Sequence, residues 1–164
     1  MGRPATKALG NRYYEARISA SKWDERLSSR AGAAEAMNVS EDVVKDAELG
    51  LYKCLPVDTV VRMADLYHAP ELLNYYCLHE CPIGKGKPIS DSVVSIERVT
   101  VSLIKHLRVD EIDAVKDVLI DIAEDGVVSE DEVNNLLRVR DYQRGLSRTI
   151  SEMEILAEKA SEKR

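Results

Sequence analysis

SRAGAAEAMNVSEDVVKDAELGLYKCLP, residues 29–56, is the stretch whose reading decides the fold. It divides into two short helical patterns around a tight turn. Ser29 is placed as an N-cap ahead of the Ala-rich segment 29–37, and Ser40 as an N-cap ahead of 40–49, with Gly50 just past the end. Asn38 stands where the chain must bend, and asparagine is the residue after glycine best able to take a left-handed backbone. Ala34 is small enough for two helices to cross closely, while Val39, Val44 and Ala47 are the apolar anchors of such a crossing. A steep crossing of this kind leaves the outer face of the second helix free for a groove.

Helical patterns continue on both sides. Upstream, 11–21 predicts a helix with Tyr14, Ile18 and Ala16 or Ala20 turned inward. Downstream, Pro56 opens a helix to Tyr67 with Val57, Val60, Val61, Ala64 and Leu66 on its apolar stripe, and Pro70 opens a fifth at its first turn. Cys81 to Ser90, with two prolines and two glycines in ten positions, reads as a linker. Beyond it, 96–107 carries Val99, Leu103, Ile104 and Leu107 at helical spacing. Asp110 is placed as the cap of a helix bearing Ile112, Val115, Leu119 and Ile122. A long helix over 130–162 repeats Val139, Leu146, Met153 and Ala160 every seven residues, with Tyr142, Thr149 and Leu156 between them. That seam favours a helical hairpin or a dimer interface. Strand patterns are absent, so the expected fold class is all-α. The expected organisation is a helix-turn-helix domain over 1–80, a linker over 81–90 and a helical module over 91–164.

The 29–56 stretch, with the helix that follows it as far as Leu72, resembles the Cro/cI-type (XRE-like) DNA-binding domain. Ala34, Asn38, Val39, Ser40, Val44 and Ala47 stand at the pattern's crossing, turn, cap and anchor positions. Glu48 and Gly50 match its E-x-G ending and Pro56 its next helix opening. The resemblance implies a lambda-repressor-like domain and a sequence-specific regulator of transcription in a bacterium or mobile element. Its partners are then double-stranded DNA and a second copy of the chain. By the same resemblance, Arg30 at the start of the second helix meets phosphate. Glu41, Asp42, Val43, Lys45, Asp46 and Leu49 form the recognition face, and Lys53 contacts the DNA backbone. A basic arm with Arg3, Lys7 and Arg12 adds further contacts.

Charge complicates that expectation. The 164 residues carry a net charge of -6, whereas DNA-coating surfaces are usually basic because phosphate neutralisation supplies much of the affinity. The acids cluster between 107 and 132 and the cations toward the N-terminus, so the two halves have different tasks. Three acids against one lysine on the recognition face keep a second expectation open. This is a repressor-fold inhibitor, of antirepressor or anti-CRISPR-like type, that meets a basic nucleic-acid-processing protein through its acidic helix or its C-terminal helices.

No apolar run approaches the ~18 residues of a membrane span, and the N-terminus lacks a secretory pattern. The expected location is the cytoplasm, where Cys54, Cys77 and Cys81 stay reduced. Cys77 and Cys81 read as buried thiols against the fourth helix rather than as zinc ligands. Asp121 to Glu132 has the first, fifth, glycine, eighth and closing positions of a calcium loop, but Ala123 offers no oxygen at the third. Gly126 as a helix end and Ser129–Glu132 as a capping box explain the segment better. His68, His79 and His106 are scattered, so neither a catalytic site nor a cofactor is expected.

Overall fold

A computed structural model describes residues 7–126 and 128–161, the side chains of Asp125 and Asp131 excepted. All regular structure among them is helical: α1 (Arg12–Ala20), a 3-10 turn (Glu25–Ser28), α2 (Arg30–Met37), α3 (Glu41–Glu48), α4 (Val57–Tyr67), α5 (Glu71–His79), α6 (Ile96–His106), α7 (Val109–Asp125) and α8 (Glu130–Ser161). No helix in the described residues is long and apolar enough to cross a membrane. Arg3 and Glu162 lie outside them. The chain forms two compact units, Met1–Lys87 with Ala157–Arg164 and Pro88–Leu156.

In the first unit, local signals set the helix ends. Asn11 caps α1, its side chain accepting from the backbone N–H of Tyr13 and Tyr14, and Ser29 caps α2 through the Gly32 N–H. Asn38 ends α2 in the left-handed region (φ 54°), and His68 ends α4 likewise (φ 48°). Ser40 sits at the N-cap position of α3 in extended backbone but its side chain bonds no backbone N–H, contrary to expectation. Glu41 and Asp42 in the first turn place negative charge against the helix dipole there instead. The helices close around one core that includes Leu27, Met37, Val44, Leu55, Met63 and Leu72.

Two expected helix faces are rotated. On α1 the buried residues are Tyr13, Arg17 and Ala20, while Ile18 is exposed. The cause is Arg17, whose charged head is drawn inward by a buried partner described below. On α4 the buried set is Thr59, Val60, Met63, Ala64 and Tyr67, and Val57 and Val61 face out. Met63 and Tyr67 fill more volume than the valines, so packing outweighed the apolar count.

The segment 81–87 is built of turns: Gly84 and Lys85 donate to the Cys81 carbonyl, and Lys87 donates to that of Gly84. Gly84 lies so close to α5 that a Cβ would stand 2.1 Å from the Cys77 carbonyl oxygen. α5 ends at His79, so Cys81 is off the helix. Cys77 and Cys81 are only half-buried, because they sit at this turned edge rather than in the core, and Cys54 is exposed.

In the second unit the chain first runs antiparallel to α8. Ser90 donates its N–H to Ser151 Oγ and its hydroxyl to Glu152. Farther along, the Tyr142 hydroxyl donates to the His106 carbonyl. Gly145 permits that approach, since a Cβ there would meet the His106 ring at 2.9 Å. Next, Glu111, Ala114, Val115 and Val118 of α7 face Asn135, Arg138, Val139 and Tyr142 of α8. α6 and α7 therefore follow one another along α8 as one arm of a hairpin. Arg108, not Asp110, occupies the N-cap position of α7, and Asp110 pairs with it from within the first turn (2.5 Å). α7 stays helical to Asp125, through what would be the first five positions of a calcium loop. Gly126 turns left-handed (φ 71°), and the Glu132 carboxylate accepts from the Ser129 N–H (2.8 Å) and hydroxyl (2.6 Å). Along the seven-residue seam Val139 and Thr149 are buried, Tyr142, Leu146, Met153 and Leu156 half-buried, and Ala160 exposed.

Candidate nucleic-acid interface

α2 and α3 meet across a turn of three residues, Asn38, Val39 and Ser40. The Asn38 N–H donates to the Glu35 carbonyl and the Val39 N–H to that of Ala34, both at 3.0 Å. Ala34, Val44 and Ala47 are buried and Val39 is half-buried against the core. Anchoring those positions turns the opposite face of α3 outward. Glu41 and Asp42 are exposed, and Val43, Lys45, Asp46 and Leu49 are half-exposed.

A buried ion-pair network fixes this helix from beneath. Glu48, the last residue of α3, is 1% exposed and Arg17 of α1 is 3%. Arg17 Nε donates to Glu48 Oε1 at 2.5 Å and Nη2 to Oε2 at 3.2 Å, a two-pronged contact. Its remaining nitrogen, Nη1, donates to the carbonyls of Leu27 (2.8 Å) and Ser28 (3.2 Å), so one guanidinium ties α1, the 3-10 turn and α3 together. Arg30 completes the network with Nε 2.7 Å from Glu48 Oε2. Two cations on one buried carboxylate satisfy the charge that burial would otherwise penalise. Tyr67 lies beside them, and its hydroxyl is buried without a hydrogen-bond partner among the described residues. Burial above all pushes that phenol's pKa up, with Glu48 adding and Arg17 opposing.

Arg30 is thus held to Glu48 rather than pointing freely from the start of α2. Lys45 is engaged as well, with its Nζ 2.5 Å from Asp42 Oδ1 and 3.9 Å from Asp46 Oδ1. The hydrogen bond with Lys45 holds the Asp42 carboxyl below its ordinary range and raises Lys45 in turn. The outer face of α3 is accordingly acidic, with its lysine neutralised in place.

Lys53 and Arg12 are exposed near the other end of α3. The Asn11 amide, next to Arg12, donates to the Ala47 carbonyl (3.0 Å), and Asn11 and Lys53 both border a hollow of about 230 Å³ beside Gly50. The loop carrying Lys53 is pinned from below. Glu80 accepts from the Leu55 N–H (2.9 Å) and from the Tyr13 hydroxyl (2.8 Å), and the Cys54 sulfur lies 3.1 Å from the Tyr76 hydroxyl. Burial and the Glu80 carboxylate push the Tyr13 phenol's pKa up, in that order.

Glu41, Asp42, Val43, Lys45 and Asp46, expected as a recognition face, therefore share one surface, Arg30 belongs to the network under it, and Lys53 and Arg12 flank its far end. Sequence reasoning missed the Arg17–Glu48 pair. Its one trace was a glutamate directly after Ala47, an expected inward position, while hydropathy gave Arg17 an outward one. The Tyr13–Glu80 contact spans 67 positions and left no pattern. Among the described residues, no three His, Cys, Asp or Glu side chains gather closely enough to hold a metal. No protein-family model matches the chain, and no curated protein or solved structure matches it.

Proposed function

We propose that α2 and α3 are a helix-turn-helix of Cro/cI type and that the chain is a sequence-selective, double-stranded DNA-binding regulator of transcription. It would act as a two-fold dimer in the cytoplasm of a bacterium or on behalf of a mobile element. One observation carries this reading: the left-handed turn at Asn38 and the buried Val44, Ala47 and Glu48 turn α3 so that Glu41, Asp42, Val43, Lys45 and Asp46 face outward. A helix presented this way fits the major groove.

Charge distribution supports it. Residues 7–87 hold eleven cations against twelve acids, while 88–156 hold eight against fifteen, so the unit that carries α3 is close to neutral and the acid excess belongs mainly to the other. Arg12 and Lys53 serve phosphate contacts that set register, while Glu41 or Asp42 accepts from a cytosine amino group and Val43 meets a thymine methyl. The Arg17–Glu48–Arg30 network holds the reading helix rigid, which lowers the ordering cost of binding.

The test is titration of the chain with its own upstream DNA and an unrelated duplex over a series of salt concentrations. Selective binding that weakens with salt is expected. Lys53→Glu and Arg12→Glu each lower affinity for both duplexes and reduce the salt slope by about 1. Arg30→Glu is a poor probe because it also disrupts the pair with Glu48. Failure to bind either duplex at low salt would overturn the reading.

A second reading is favoured by one observation, the closure of Lys45 by Asp42 and Asp46. An acidic helix face suits a basic protein surface, as in an inhibitor of a nucleic-acid-processing complex. Asp42→Lys separates the two, since it strengthens nonspecific DNA binding but abolishes an acidic contact to a protein.

A further inference from the structure

The seven-residue seam of α8 is consumed inside the hairpin, yet a second set of apolar side chains remains uncovered. Ile96 (54% exposed), Leu107 (53%), Ile112 (42%), Leu119 (41%), Val133 (44%) and Leu136 (37%) belong to all three helices of the second unit. At 100° per residue, each stands on the same side of its helix relative to the residues that face across the hairpin (Val99 in α6, Val115 in α7, Val139 in α8). Because both arms are right-handed helices running in opposite directions, equal rotations from the seam lead to one common face. The opposite rotation leads to Arg98 and Lys105, to Asp110, Asp117 and Asp121, and to Arg138 and Asp141. The hairpin thus has one charged broad side, while the other is apolar along α6, α7 and the start of α8 and turns polar at Arg140, Gln143, Ser147 and Glu154.

We propose that the apolar side of the α6–α7/α8 hairpin is covered by the same side of a second copy, forming a two-fold, four-helix arrangement. The proposal takes up the homodimer of the preceding section and identifies its surface, which is not the heptad seam. Three observations favour a second copy as occupant. First, the unit is two helices thick and its buried apolar residues are Val99, Val139 and Ile155, with no described side chain of α7 buried. A pair of helices sharing one seam is marginal in water and needs another layer. Second, Lys116 and Arg140 stand within the same rotation and are answered locally, Lys116 by Asp113 (2.7 Å) and Arg140 by Asp141 (2.8 Å). The side therefore offers little net charge for a strongly charged partner, whereas an apolar strip is complementary to itself. Face-to-face pairing also sends the acidic sides of both copies outward. Third, the apolar strip runs about 35 Å along α6 and α7 from Ile96 to Leu119, with Val133 and Leu136 of α8 beside its far end, roughly 400–500 Å². Two copies of such a strip bury about the area of a weak, reversible dimer.

Sedimentation equilibrium of the full chain over about 1–100 μM tests it. The unaltered chain is expected to be dimeric at the upper end, and the thermal midpoint of its helical signal to rise with concentration. Ile112→Lys with Leu119→Lys weakens the dimer by about a hundred-fold or more, the effect of two unpaired charges in an apolar interface. Asp117→Lys with Asp121→Lys, on the other broad side, leaves dimerisation within about three-fold. The concentration-dependent midpoint needs no variant, so misfolding of the Lys pair cannot mask the answer. A monomer with a concentration-independent midpoint overturns the proposal, as does a dimer that survives the Lys pair. A dimer indifferent to all DNA removes the regulator and leaves the interface standing, whereas a DNA-binding monomer does the reverse.

Discussion

The α1–α5 unit and the α6–α8 hairpin are both made of amphipathic helices, yet among the described residues fifteen apolar ones of the first are buried in one cluster and three of the second are buried at all. The difference lies in how the helices meet. Short helices that cross steeply surround a common centre, and each contributes a residue or two from its inner face. Long helices laid side by side share a single seam, and any apolar stripe wider than that seam stays in water. Apolar content therefore does not make a core by itself. The first unit also has something the hairpin lacks, a charged residue pair deep inside, whose cost is tolerated because it locks three elements at once.

The largest expected effect follows from that pair. Glu48→Ala leaves Arg17 buried without its carboxylate and should cost the first unit about 3–5 kcal/mol. Trp23 is the chain's one tryptophan and lies in this unit, so its fluorescence during urea unfolding reads the loss directly. A Trp23 midpoint that does not move would mean that the network contributes no stability and that the contrast with the hairpin is only one of apolar burial.

Next in size comes a direct contrast of leucines. Leu27→Ala, at a fully buried site, should cost about 2–5 kcal/mol. Leu119→Ala should change the stability of the dilute, undimerised chain by less than about 0.5 kcal/mol. Equal losses at the two sites would break the comparison outright.

The paired helices around Asn38 were legible in the sequence because every requirement of that turn is local: a cap, a small crossing residue, a left-handed position and two anchors lie within fifteen positions. The hairpin was legible as an alternative, since a seven-residue repeat does not say whether its partner is the same chain or another. The rotation of α1 was not legible. Hydropathy puts Ile18 inside and Arg17 outside, and only the three-dimensional approach of Glu48, 31 positions away, reverses that order. The α4 face failed for a related reason, because which side of a helix goes inward depends on the space its neighbours leave. At the candidate interface, the exposed flank of α3 could be read from the anchors, but the capture of Arg30 by Glu48 could not.

Alkaline titration sharpens the contrast further. Tyr13 and Tyr67, both in the first unit, have phenols raised above the ordinary value, chiefly by burial. A hydrogen bond with Cys54 is the main reason that Tyr76 is pushed up to about 12. A folded-state pKa above the unfolded one means stability that is fully present below pH ~10 and lost as the pH rises toward the folded values. The Trp23 urea midpoint should therefore hold between pH 7 and 9 and fall from about pH 10 upward. A midpoint unchanged at pH 11 would show that these phenols ionise without disturbing the core.

The smallest effect belongs to the hairpin's turn. Ser129 donates both its N–H and its hydroxyl to the Glu132 carboxylate at the start of α8. Glu132→Ala frees one backbone donor and removes a negative charge from a helix N-terminus, which together should cost about 0.5–1 kcal/mol. The loss should appear in the helical signal of the hairpin while Trp23 reports no change. So small a term matters more here than the same term would in the first unit, because a thinly buried hairpin depends more on its ends. If Glu132→Ala leaves hairpin helicity intact below the dimerisation range, the two arms are held by their seam alone, and the uncovered apolar side would no longer be needed to explain how the unit stays folded.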